Sequence, residues 1–166
     1  MDAKPVADSR VLLSHWMGPL DANSSGNVHG GTIMKLADEA AALAAIKHAR
    51  TLVTTAGVDR MAFLVPVFVG DLVTFKAMVN AAWRTSMEIG VRVEAENPLT
   101  GEVRHTNSAY FTFVALDEQR GPTPVPPATA ATPTDQRRLR EAEIRRSNRL
   151  AERAGMLARR SEEGDF

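Results

Sequence analysis

Residues 72–83 read LVTFKAMVNAAW, in which Val73, Phe75, Ala77, Val79, Ala81 and Trp83 are apolar. Residues 86–96, SMEIGVRVEAE, repeat the pattern: Met87, Ile89, Val91, Val93 and Ala95 alternate with Ser86, Glu88, Gly90, Arg92, Glu94 and Glu96. No other feature constrains the fold as strongly. Side chains of a strand point to opposite faces in turn, so a sustained period of two means strands with one buried and one wetted face, as in an antiparallel sheet. Arg84-Thr85 connects these two strands and Gly70-Asp71 precedes the first. Asn97-Pro98 through Gly101 reads as a turn, and VRHTNSAYFTFVALD, residues 103–117, as a third long strand. TLVTTAGVDRMAFLVP, residues 51–66, reads as another strand with weaker patterning, and a short one covers residues 11–17.

One helix is expected before residue 120, over residues 31–48. Ile33, Leu36, Ala37, Ala40 and Ala44 recur at helical spacing and form the face turned to the sheet. The order is strand, helix, four strands. The strands are long beside the usual ~5–6 residues. The solution is an α+β fold in which a long antiparallel sheet curls around one helix. Such a sheet leaves edge strands open, and dimerisation is a remedy.

After Asp117 the composition shifts. Residues 121–134, GPTPVPPATAATPT, are nearly all Pro, Thr and Ala and read as an extended linker that uncouples the C-terminal tail from the domain. Beyond it, strong helix formers predict a helix over about residues 134–160. From Arg137 on there are nine Arg and six acidic residues, a basic tail after an acidic domain, although the whole chain has zero net charge. The division is a domain over 1–120, a linker over 121–134 and an Arg-rich helical tail over 135–166. A solvated or frayed helix explains the tail better than a nucleic-acid arm, and docking on another subunit stays open. The 166 residues include no Cys, so disulfides, thiolate nucleophiles and Cys-held metals are excluded. No His/carboxylate cluster has metal-ligand spacing, so no metal is expected. No apolar run spans a bilayer and no signal core is visible, so a cytoplasmic protein without nucleic-acid or membrane partners is the expectation.

The chemistry concentrates in NSSGNVHGGTIMKLADEAAALAA, residues 23–45. Gly30-Gly31 open the helix, where unobstructed N–H groups and the helix dipole favour negative charge, as an oxyanion hole requires. Asn23 lies just upstream, able to orient a water or a carbonyl. Asp38 sits about two turns in, off the apolar stripe, beside Met34, Ala41, Ala42 and Ala45. It can act as base or nucleophile. Each also has an ordinary reading: a solvated carboxylate, a turn former, a flexible helix entry. Phe63, Leu64 and Val65 are candidate lining for an apolar chain or plain core, and Arg84 and Lys35 candidate phosphate contacts or surface charges.

These blocks, with FLVPVFVGDLV, RTSMEIGVRVEAE and FTFVALDEQRGPTPVPP, resemble the hotdog-fold acyl-CoA thioester hydrolases, in the branch of long-chain and cytosolic acyl-CoA hydrolases. The resemblance covers residues 18–126. It implies dimers that assemble into hexamers as trimers of dimers. It also implies Asp38 and Asn23 as the catalytic pair, one from each subunit of a dimer, and Gly30-Gly31 as the glycine turn. Arg84, Thr85 and Ser86 match a stretch near bound CoA. The implied reaction is hydrolysis of fatty acyl-CoA to fatty acid and CoA, with no cofactor beyond the substrate's own coenzyme A. The alternatives are an enoyl-thioester hydratase or dehydratase on the same fold, and a non-catalytic acyl-CoA binding or sensing module. The hydratase chemistry needs a placed His, and His15, His29, His48 and His105 have no position that argues for it.

Overall fold

The computed structural model describes residues 1–163. Five strands form one antiparallel sheet: β2 (Val11–Trp16), β3 (Leu52–Val58), β4 (Leu72–Ala82), β5 (Ser86–Glu96) and β6 (Val103–Leu116), in the order β2-β4-β5-β6-β3. Helix α1 (Gly30–Ala49) lies in the concave face and touches all five strands. A two-residue strand β1 (Lys4–Pro5) pairs in parallel with β7 (Ala128–Thr129), and α2 (Pro133–Glu163) completes the chain's order of elements.

The alternation of β4 and β5 places its apolar members under α1: Val73, Phe75, Val79, Met87, Ile89, Val93 and Ala95 are 0% exposed. The helix face that meets them is broader than the five-residue stripe, because Ala41, Ala45 and His48 are buried as well. Small alanines let the helix sit close to the sheet, so neighbours of the stripe are covered too. Helix α1 ends at Arg50, whose left-handed backbone (φ 59°) lets its N–H close onto Ile46 O at 2.8 Å.

Three expectations change. The strand foreseen over 51–66 stops at Val58; after Asp59 donates to Tyr110 O at 2.9 Å, residues 59–71 leave the sheet as a loop. That loop is tied by Asp71, whose Oδ2 accepts from Phe68 N–H (2.9 Å) and from Arg104, while Arg104 also donates to Pro66 O (3.2 Å). The loop's own anchors replace a strand partner. Second, the Pro/Thr/Ala segment is extended but not loose. Thr123 N–H donates to Ala115 O, Val125 N–H to Arg84 O, and Lys4 N–H to Pro127 O. The buried ring of His48 donates from Nε2 to Pro126 O at 2.8 Å. Backbone groups that regular structure does not use find partners along the core, as buried polar groups must.

Third, the first half of α2 is clamped to the convex face. Glu88, 0% exposed, is gripped by Arg145 (Nη2–Oε1 2.6 Å) and Arg149 (Nη1–Oε2 3.3 Å). Arg149 also reaches Asp59 at 2.7 Å, and Arg145 stacks 3.7 Å above the Tyr110 ring. Asn80, the extra residue of a bulge in β4, adds a bond to Glu88 at 3.2 Å. Gly90 makes room for it: a Cβ there would lie 2.7 Å from Asn80 Nδ2.

Candidate active site

The N-terminus of α1 is built by the loop before it. His29 N–H donates to Asp21 O (2.7 Å) and Val28 N–H to Val67 O (2.8 Å), which fixes where the helix begins. His29 is the N-cap, its Nδ1 accepting from Gly31 N–H at 3.0 Å. This capping role is invisible from sequence spacing, since His is not a preferred cap. Among the described residues the N–H of Gly30 has no protein acceptor, so it is the open donor at the positive end of the helix.

Asn23 stands at the same place. Its Oδ1 accepts from Ser25 N–H (2.9 Å) and Asn27 N–H (3.2 Å), an Asx turn that shapes the loop. With the oxygen committed, the amide NH2 is the group left to face a ligand; this orientation is set by the hydrogen bonds. Asn23, Gly30 and Phe63 line one cleft of 310 Å³, whose other walls include Leu64, Val65 and Thr106. Phe63 lies against Gly30, a Cβ on which would sit 3.6 Å from the ring.

Asp38 is elsewhere in the same chain. Eight residues along α1 from Gly30, it is about 12 Å further up the axis and does not line the cleft. It is half-buried, and its Oδ1 accepts from Thr55 Oγ1 of β3 at 2.8 Å. Thr55 is not marked by the sequence: a threonine in a strand has no signature, and its partner is 17 residues away. Beside Asp38 the helix is open toward Met34, 42% exposed, and closed toward Ala41 and Ala45, which are buried. Within one chain the donors at Asn23 and Gly30 and the acceptor at Asp38 are therefore separate.

Arg84, Thr85 and Ser86 join neither group. They lie in and after the β4–β5 turn, where Thr85 O accepts from Ala115 N–H and Arg84 O from Val125 N–H. Lys35 is exposed and pairs loosely with Glu39 at 3.9 Å. Among the described residues no three His, Asp or Glu side chains converge as a metal site. Among them, too, no helix is long and apolar enough to cross a membrane.

The curled sheet, the single buried helix and the glycine entry with Asn upstream and Asp downstream define a hotdog thioesterase architecture. The thioesterase superfamily model matches residues 25–102. A Bacillus subtilis protein named as an uncharacterized acyl-CoA thioester hydrolase, YkhA, is 33% identical over 147 residues, 89% of this chain and 81% of its own. A hexameric acyl-CoA thioesterase solved without ligand superposes with a TM-score of 0.89 at 38% identity, covering 93% of this chain and 99% of that one. An acyl-CoA hydrolase from Staphylococcus aureus, solved with butyryl-CoA and CoA, gives 0.87 at 31% identity over 97% of both chains. Forms of that enzyme with an Asp, an Asn or a Thr changed to Ala have also been solved. The chain belongs to the thioesterase superfamily.

Proposed function

We propose that the protein hydrolyses acyl-CoA thioesters in a site shared by two subunits of a dimer, Asn23 and Gly30 coming from one and Asp38 from the other. The observation that carries this reading is the split: donors and carboxylate lie about two helical turns apart in one chain, and the helix surface on the Met34 side of Asp38 is exposed. The Asn, Asp and Thr altered in the S. aureus enzyme have the same spacing along their chain as Asn23, Asp38 and Thr55 have here, which supports the same grouping.

The thioester carbonyl oxygen takes the open Gly30 N–H and the Asn23 amide. Water, deprotonated by Asp38, attacks the carbonyl carbon; alternatively Asp38 attacks and water resolves the anhydride. Negative charge moves onto the carbonyl oxygen, where each donor contributes roughly 2.7–4 kcal/mol to lowering the barrier. The tetrahedral intermediate collapses and expels the CoA thiolate. An ordinary thiol pKa is ~8.5, so the leaving group needs little acid assistance. Thr55 holds Asp38 in one rotamer and leaves Oδ2 to face the water. Gly31 is a second donor once the His29 ring turns aside. Phe63 and Val65 form the acyl wall, and Arg84, Thr85 and Ser86 serve the CoA portion of a neighbouring subunit's substrate. Such dimers would assemble into a hexamer, and the ligand-free relative is itself hexameric.

The test is co-refolding, with free thiol release from acyl-CoA as the readout. Asn23→Ala and Asp38→Ala homodimers are expected to be poor enzymes. In a mixed dimer, one site carries both lesions and the other none, so random pairing returns about a quarter of wild-type activity. If both residues acted within one chain, mixing would restore nothing. Running the assay over acyl chain lengths gives the substrate range.

A further inference from the structure

The last third of α2 lies beyond its own sheet. Its contacts march across the strands in order. Glu143 accepts from Trp83 Nε1–H (2.9 Å) at the end of β4, Arg145 holds Glu88 of β5 and covers Tyr110 of β6, and Arg149 reaches Asp59, just past β3. Strand β3 is the edge of the sheet. After Arg149 every residue from 150 to 160 is exposed. Eleven helical residues extend about 16 Å, roughly the width of three strands at ~4.8 Å each. The overhang occupies the space above strands that this chain does not supply.

Its chemistry suits a covered surface. Leu150, Met156 and Leu157 are 55%, 52% and 55% exposed. A 920 Å³ cleft separates the overhang from Val58, Asp59 and Arg60. The edge below is equally unfinished: among the described residues β3 pairs only with β6, and Leu52 is 61% exposed. Leu52 pairs with Leu116, while its neighbour Val53 pairs with Ala115 in the core, so Leu52 faces the convex side, the side of α2. A free edge with exposed apolar residues invites pairing, and a helical end of this length is marginal in water without packing.

We propose that the overhang of α2 is a strap that grips a second copy of this chain across the β3 edge. The strap rests on the same two-fold dimer that the shared catalytic site requires. When β3 pairs antiparallel with its copy, the start of one strand lies beside the end of the other. The partner's Leu52 then lies past the Val58 end of β3, on the convex side, beneath Met156 and Leu157. The two-fold axis repeats the contact, so each subunit straps the other, and the Arg145–Glu88–Arg149 cluster anchors each strap to its own sheet.

The chain has no cysteine, so a crosslink can be placed without background. In the full-length protein carrying Leu52→Cys and Met156→Cys, a short bis-maleimide should move most of the material from 18.0 kDa to twice that mass on a denaturing gel. Neither single variant should do so. Leu157→Glu should raise the dimer dissociation constant roughly tenfold or more, as expected for losing one buried leucine. If sedimentation shows wild-type dimers but the double variant stays at the monomer mass, the strap is wrong and the shared site stands. An unchanged dissociation constant in Leu157→Glu also overturns the strap. A wild-type monomer overturns both readings.

Discussion

Helices α1 and α2 lie on opposite faces of one sheet and are held by different physics. Helix α1 presents Ile33, Ala37, Ala40, Ala41, Ala44 and Ala45 to a concave wall of Val, Phe, Met and Ile. That contact is non-directional: it sums small burial gains of ~0.8 kcal/mol per methylene and depends on shape. Helix α2 buries little apolar surface and is fixed by two arginines around one carboxylate that water does not reach. Such a cluster contributes little net stability but is costly to break, and it admits few alternative alignments. The apolar helix therefore leaves part of its surface outside the contact, whereas the charged helix is fastened at a defined position.

The sharpest way to separate the two roles is Asp38→Asn. Asn still accepts the Thr55 hydrogen bond but cannot take a proton, so kcat for thiol release should fall by ~10²–10⁴ with the thermal midpoint nearly unchanged. A large loss of stability would return Asp38 to a structural role. On the other helix the expectation reverses. Glu88→Ala strands Arg145 and Arg149 and should cost ~3–5 kcal/mol in urea unfolding, while turnover per folded site persists. Replacing the cluster together, Glu88→Leu with Arg145→Met and Arg149→Met, should recover most of that loss. Failure to recover would mean that the cluster stabilises the fold beyond its own pairing. Ala40→Leu tests α1 on its own terms: with no space below it, overpacking should cost ~1–3 kcal/mol.

The smallest effect concerns the joint between the helices. Burial holds the His48 imidazole below its ordinary pKa, and nearby Lys4 pushes the same way against the Pro126 hydrogen bond. Between the lowered folded value and the unfolded value near 6.5, the unfolded chain binds more protons. This contribution to stability is therefore full above about pH 6.5 and is lost as pH falls toward the folded value. Urea midpoints compared at about pH 5 and 7.5 should differ less in His48→Gln than in wild type.

The sheet and α1 are legible in the sequence because period and spacing are local signals: Val73 to Ala81 and Met87 to Ala95 state their faces without any partner. Asn23, Gly30 and Asp38 stand out as candidates for a related reason, since one helix and its entry loop carry all three. What escapes depends on pairs distant in sequence. Glu88 sits at a position of β5 that alternation assigns to water, and only a helix 57 residues later covers it. The bulge at Asn80 leaves no mark except Gly90 nearby. The segment 121–132 has the composition of a free linker, because hydrogen bonds through backbone groups place no demand on side-chain type. Leu64 lines the cleft while 82% of its surface stays exposed, because the loop that carries it departs from the sheet.

The pairing of Lys4 and Pro5 with Ala128 and Thr129 has a consequence for how the chain is made. At ~5–20 residues per second, several seconds to about half a minute separate the synthesis of the two partners. Until then β1 has nothing to join, although β2, α1 and most of the sheet have already emerged. The clip that ties the segment before Val6 to the stretch after Pro126 can therefore close only after every strand and helix between them has been synthesised, so during synthesis it is a late contact that joins the two flanks of the domain.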